Sequence, residues 1–223
     1  ESLANGRDNV IEVKRTMGKK GKMLLSIAAI VVVLGLVTAL LRYKAIKTYT
    51  QYDVVSATET SGDNIADYTV FAGNVLKVTK DGASYIDEKG VTKWDVSYAM
   101  KMPHAEVCGN YAIVADMNGK DVYVFNVDGE VSRQTLAYDI SNVDIAEQGV
   151  YTLVLVGEDC NYINGYDKDS NTIYELKTTI DKSGYPMDID ISNDGQKLVT
   201  SYMKIQGTKV QSVIAMYNFS SVG

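Results

Sequence analysis

Three groups of residues have types and spacings that bear on chemistry. Asp167-Lys-Asp-Ser-Asn171 sets carboxylate and amide oxygens at alternate positions, as the opening of a calcium loop does. An EF-hand loop then needs Gly and a bidentate Glu where Thr172 and Thr178 stand. The same residues suit a β-turn, because Asp and Asn hydrogen-bond their own backbone and tolerate left-handed φ. The turn is the expected role, and a cation held by Asp167, Asp169 and Asn171 is left open. Asp188 and Asp190 share one face of a strand, and Asp194 follows in Ser192-Asn-Asp-Gly195. Paired carboxylates serve acid–base work, but this pattern reads first as the tight turn between an outer and an inner strand of a repeated sheet. His104, the only histidine, follows Pro103 in what reads as a loop, with no nucleophile placed beside it.

Two cysteines, Cys108 and Cys160, have no spacing that requires them to meet, so two partly buried thiols are expected rather than a disulfide. Together with one histidine they do not make a zinc site. Trp94 and the 16 tyrosines suit a carbohydrate or peptide platform, but aromatics in strands usually pack across strands. Asn218-Phe-Ser220 matches a glycosylation acceptor only formally, since it falls at a strand end. The sequence therefore assigns no catalytic, cofactor-binding or metal residue.

The most distinctive element lies near the start. Met23 to Leu41 runs 19 residues without a charged side chain. As a helix rising about 1.5 Å per residue it reaches roughly 28 Å, close to the ~30 Å hydrocarbon core of a bilayer. Ser26 and Thr38 can bond back to helix carbonyls, and Ser26/Ala29 or Gly35/Ala39 offer a weak small-residue dimerisation motif. Lys14, Arg15, Lys19, Lys20 and Lys22 precede the run, whereas Arg42, Lys44 and Lys47 follow it. The positive-inside rule then puts residues 1–22 in the cytoplasm and the bulk of the chain outside, with Tyr43 and Tyr49 at the outer interface. Leu41-Arg42-Tyr43-Lys44 is a poor cleavage site, so an uncleaved anchor is expected rather than a signal peptide.

Charge follows the same division. Residues 1–60 carry nine Lys/Arg against five Asp/Glu, whereas residues 61–223 carry 13 against 23. The second part is acidic and should repel nucleic acid. Residues 42–65 read as a helix extension and a polar linker, Ser56 to Asn64.

From about Ala66 the hydrophobic period changes to two. Strand-like segments start at Asn74, Ala83, Tyr111, Asp121, Val150, Thr172, Asp188, Lys197 and Ser212, divided by Gly, Asn and Asp turns. Glycines open units at Gly73, Gly109, Gly149 and Gly195. Turns at Asp87–Gly90, Asn126–Gly129 and Asp167–Asn171 recur at about 40-residue spacing. Four short strands in about 40 residues is the signature of a β-propeller blade. Residues 66–223 hold about four, so the expected fold is an all-β, β-propeller-like extracytoplasmic domain behind one transmembrane α-helix. The chain starts with Glu and stops after an apolar strand, which reads as an incomplete ring, with a small four-bladed ring as the alternative.

Several segments carry a family resemblance. They are Lys80-Asp-Gly-Ala-Ser-Tyr-Ile-Asp, Trp94 in Val-Thr-Lys-Trp-Asp, and Val107-Cys-Gly-Asn-Tyr-Ala-Ile-Val-Ala-Asp116. Further on are Asp121-Val-Tyr-Val-Phe-Asn-Val-Asp-Gly129, Ser183-Gly-Tyr-Pro-Met-Asp-Ile-Asp-Ile-Ser-Asn-Asp-Gly195 and Tyr217-Asn-Phe219. From about Tyr43 to Gly223 the chain resembles an uncharacterised family, a domain of unknown function, of membrane-anchored, propeller-like proteins of Gram-positive anaerobes. The resemblance implies fold, location and a longer chain, but no activity. The functional expectation is a cell-surface binding or scaffold module for a protein, peptide or wall polymer, without catalysis. A sensor or subunit of an envelope assembly is the alternative, and a propeller enzyme with catalytic groups in missing blades is a second.

Overall fold

The computed structural model describes residues 18–45, 54, 57 and 65–220. They belong to two units, divided after Asp53. In the first, helix α1 spans Lys19–Ala45. It is longer than the apolar run at both ends, because Lys and Arg are good helix formers and the backbone ladder need not stop where the apolar side chains do. Its side chains from Met23 to Leu25 and from Ile27 to Leu41 are exposed, and Thr38 Oγ1 donates to the carbonyls of Leu34 and Gly35 at 3.0 and 2.9 Å. This is one helix long and apolar enough to cross a membrane. The linker expected over 56–64 apart from residue 57, Tyr49, and the tail as far as residue 17 fall outside the described residues.

The second unit is built of four antiparallel sheets in chain order. The first blade comprises β1 (Asp67–Phe71), β2 (Asn74–Thr79), β3 (Gly82–Ile86) and β4 (Thr92–Ser97). The second is β5 (Pro103–Cys108), β6 (Tyr111–Asp116), β7 (Asp121–Asn126) and β8 (Gly129–Thr135). The third is β9 (Asp139–Ile145), β10 (Tyr151–Val156), β11 (Asn161–Tyr166) and β12 (Thr172–Thr178). The fourth has three strands, β13 (Tyr185–Ile191), β14 (Lys197–Gln206) and β15 (Lys209–Asn218). In each sheet every strand pairs with the next in sequence. These consecutive meanders, set side by side, give a β-propeller-like fold.

Each sheet buries one face against the next. Phe71, Leu76, Tyr85 and Trp94 of the first blade pack on Ala112, Val114 and Phe125 of the second. Ile113, Val122 and Val124 of the second meet Val143, Tyr151 and Leu153 of the third. Val154 and Ile163 of the third meet Ile189, Leu198 and Tyr202 of the fourth. The first strands β1, β5, β9 and β13 approach one another in series, which makes them the innermost. Among the described residues no comparable packing joins the first blade to the fourth, so the four sheets form an open arc.

The repeat markers fall at fixed places, with one correction. Gly73, Gly109, Gly149 and Gly195 do not open the units. Each sits in the turn between the first and second strands, with φ of 80°, 58°, 84° and 68°, where a side chain is strained. The unit begins one strand earlier, and those first strands are more polar than a buried strand should be. The Ser192–Gly195 turn likewise joins the two innermost strands rather than an outer to an inner one. The acidic turns do link the last two strands. Strand β11 escaped the pattern because Asn161, Asn164 and Gly165 read as turn residues. Instead Gly165 gives room to the Tyr174 ring stacked over it.

Leu153 is fully buried between the second and third blades. Leu153→Ala should cost about 2–5 kcal/mol, read as a lower urea midpoint. Met187→Ala, at an exposed position, should stay within about 0.5 kcal/mol.

Candidate functional site

The residues singled out in the sequence are distributed rather than gathered. His104 lies in strand β5, not in a loop, because Pro103 starts the strand at a sheet edge, where its missing N–H costs nothing. Its Nε2 meets Glu106 Oε1 at 2.9 Å, with both side chains substantially exposed. Asp188 and Asp190 share the exposed face of β13, as alternate strand positions must. Asp188 accepts from Asn142 Nδ2 at 2.8 Å and from the Ile189 N–H at 3.0 Å. Asp194 takes the Ser192 hydroxyl and the Gln196 N–H, and the Ser192 bond holds its carboxyl below the usual range. It therefore serves its turn.

Asp167 is committed in the same way. Its Oδ1 accepts from the backbone of Asp169 and Asn171 at 2.9 and 2.8 Å, and its Oδ2 from Asn171 Nδ2 at 3.0 Å. Asn171 holds the Asp167 carboxyl below its usual value. Asp169 pairs instead with Lys168 Nζ at 2.8 Å. The oxygens are thus turned into the backbone or onto a lysine. Trp94 is packing: it stacks between Tyr85 and Phe125 and donates Nε1 to the Val127 carbonyl. Cys108 and Cys160 are free thiols, one half-buried and one buried.

Two arrangements emerge that spacing did not reveal. The first is a polar row along the inner strands. Asp144 in β9 accepts from the Ile191 N–H of β13 at 2.6 Å and so ties the third blade to the fourth. Burial pushes its carboxyl above the usual value against the pull of the Ile191 and Ile145 N–H groups, and Asp190 and Glu106 add to the rise. Carboxylates of three different blades therefore feel one another.

The second is a cleft of about 690 Å³ between the second and third blades. It opens on the side that carries the β6–β7 and β10–β11 turns and the β8–β9 link. Its lining includes Tyr138 and Tyr162, the carboxylates of Asp139, Glu158 and Asp159, and the amines of Lys120 and Lys177. Tyr138 and Tyr162 stack at 5.0 Å with rings 16° apart. Gly157 lies beside both rings, and an added Cβ there would meet the Cys160 carbonyl oxygen at 2.7 Å. Lys120 Nζ is bound to the Ala137 carbonyl at 3.0 Å. No ion pair engages Asp139, Glu158 or Asp159 among the described residues. The Cys160 thiol and then the Tyr138 hydroxyl push the Tyr162 phenol upward, so it stays neutral at physiological pH. Sequence reasoning missed this cleft because Tyr138 and Tyr162 are brought together only by the β8–β9 link and the β10–β11 turn.

The model of a family of unknown function, DUF5711, matches residues 45–223. The chain belongs to that family. The match spans every described strand, and DUF5711 membership fits the expectation of an uncharacterised propeller-like family. No curated protein matches. Among solved structures, a hydrazine synthase chain from Kuenenia stuttgartiensis is 15% identical, with a TM-score of 0.49 over 70% of this chain and 49% of that one. The Neurospora crassa Pan2 WD40 domain is 12% identical, with a TM-score of 0.46 over 69% and 48%. BamB from Moraxella catarrhalis is 12% identical, with a TM-score of 0.44 over 64% and 45%. The chain thus spans about half the length of the solved structures it matches.

The raised Asp144 carboxyl has a consequence for stability. The folded state binds its proton more tightly than the unfolded chain does, so this group's contribution to stability is greatest below the unfolded value near 3.8. It falls as pH rises from there through the folded value. The urea midpoint of the wild type measured relative to that of Asp144→Asn should therefore decline across this interval.

Proposed function

We propose that this chain is a single-pass, membrane-anchored binding module. In this reading the propeller arc receives a cationic segment of a protein or peptide in the cleft between its second and third blades. The observation that carries the reading is the Tyr138–Tyr162 stack, which shares the cleft with Asp139, Glu158 and Asp159, none of them in an ion pair among the described residues. Aromatic faces and carboxylates together favour Lys or Arg side chains over neutral or anionic ones. The excess of negative charge in residues 61–223 draws the same partner.

Binding rather than catalysis fits the carboxylates the fold does bring close. Asp144, Asp167 and Asp188 accept backbone or amide N–H groups instead of converging on one reacting point. The greater density of Lys and Arg before the apolar run Met23–Leu41 supports an orientation with the arc outside the cell.

Pentalysine and pentaglutamate titrated calorimetrically into the full chain in detergent test the reading. Pentalysine should bind, and Tyr138→Ala with Tyr162→Ala should weaken it about tenfold or more, the loss of one to two cation–π contacts. Asp139→Asn with Glu158→Gln should weaken it as well. Equal binding of both peptides, or unchanged affinity in the tyrosine variant, would overturn the assignment.

A further inference from the structure

The fourth blade presents a face that the other three bury. Cross-strand neighbours lie on the same face of a sheet. Val199 pairs with Met216, Ser201 with Ile214, Met203 with Ser212 and Ile205 with Val210. The opposite face, with Leu198, Tyr202 and Tyr217, packs on the third blade. The outward face therefore carries six apolar side chains, and Ile205, Val210, Ile214 and Met216 are 56–78% exposed. It corresponds, one repeat on, to the face of the third blade that packs on the fourth through Val154 and Ile163.

The polar inner edge repeats too. On the third blade Asp144 stands on that forward face and takes the Ile191 N–H of the next inner strand. On the fourth blade Asp190 is paired with Val199, which puts it on the corresponding face. The first three sheets have a fourth strand and this one has three among the described residues, so β15 forms its outer edge there.

A third observation concerns the turn that precedes each outer strand. Asp87 accepts from the Lys89 N–H at 2.9 Å, Asn126 from Asp128 at 2.8 Å and Asp167 from Asp169 at 2.9 Å. Asn218 accepts from the Ser220 N–H at 3.1 Å. In the first three blades this turn reverses the chain into the outermost strand. At Asn218 the same reversal begins.

We propose that the outward face of the fourth blade is a blade-docking face, and that its occupant is a further blade of this repeat carried by the same polypeptide. The Asn218 turn leads into the missing fourth strand on β15. The next inner strand then covers Val199, Ile214 and Met216 and offers its N–H groups to Asp190. A repeat array buries its apolar faces only through neighbours, and a terminal repeat needs a polar outer face. The outward face of the first blade mixes exposed Tyr68 and Val70 with Lys77 and the Ser84–Asp95 hydrogen bond, whereas that of the fourth carries its six apolar side chains together.

The test is thiol labelling of the protein expressed from its complete reading frame, compared with residues 1–223 alone. Both carry Ile214→Cys in a background of Cys108→Ala and Cys160→Ala, with Thr92→Cys as an exposed control. In the complete protein, maleimide modification at position 214 should slow at least about tenfold, since it then requires local opening, while the control stays unchanged. Ile214→Asp with Met216→Asp should lower the unfolding midpoint of the complete protein and leave that of residues 1–223 unmoved. Equal labelling in the two proteins, or a reading frame that stops after Gly223, would overturn the proposal. Protection within residues 1–223 that disappears on dilution would also overturn it, and would assign the face to a second copy of the chain.

Discussion

The arc depends on one constraint: a single antiparallel sheet of three or four short strands cannot cover its own apolar faces. Each blade is stable because another lies against it. Ile113, Val124, Tyr151 and Leu153 form a core that belongs to neither the second nor the third blade alone. At about 25 cal/mol per Å² of buried apolar surface, such shared faces are the dominant favourable contribution. Turns, hydrogen bonds and inner-edge carboxylates align the faces rather than replace that contribution. The Asp144 link to the Ile191 N–H illustrates this, since it fixes how the fourth blade sits on the third while keeping a carboxylate partly out of water.

The same constraint explains where polar residues can be spared. Inner strands meet at an angle and leave their forward edges solvated, so His104, Glu106, Asp188 and Asp190 are tolerated there. Turns protrude from the packed layers and take the Asp and Asn residues whose side chains hold them. Asp167 therefore opens a calcium-loop pattern in sequence, yet like Asp87, Asn126 and Asn218 it serves its own backbone. The cleft differs. It arises where the β8–β9 link and the β10–β11 turn fail to fill the space between two blades, and Tyr138 and Tyr162 pack on each other instead of into a core.

Much of the fold was legible in the chain itself. The uncharged run from Met23 to Leu41 specifies a helix suited to a bilayer, because the backbone of a lone span there must satisfy its own hydrogen bonds. Alternating β-branched residues in Tyr111–Asp116 and Asp121–Asn126 specify strands, and the recurring glycines and Asx turns specify a blade repeat. Those signals are local: each depends on residues within a few positions of one another. Where local signals conflicted with burial, the reading failed, as at β11, whose Asn and Gly look like a turn but are buried beneath Tyr174. The phase of the repeat was also hidden, because glycine marks a backbone angle and not a blade boundary.

Only the tertiary structure decided which side chains meet. Trp94 is placed between Tyr85 and Phe125 by the packing of two sheets, and Asp144 is brought to Ile191 across two blades. The cleft, the open arc and the apolar outward face of the fourth blade are likewise properties of how sheets stack. A sequence fixes strand and turn through interactions along the chain. Contacts between blades depend on the twist of each sheet and the angle between neighbours, set by all their interdigitated side chains together, and no short segment encodes them.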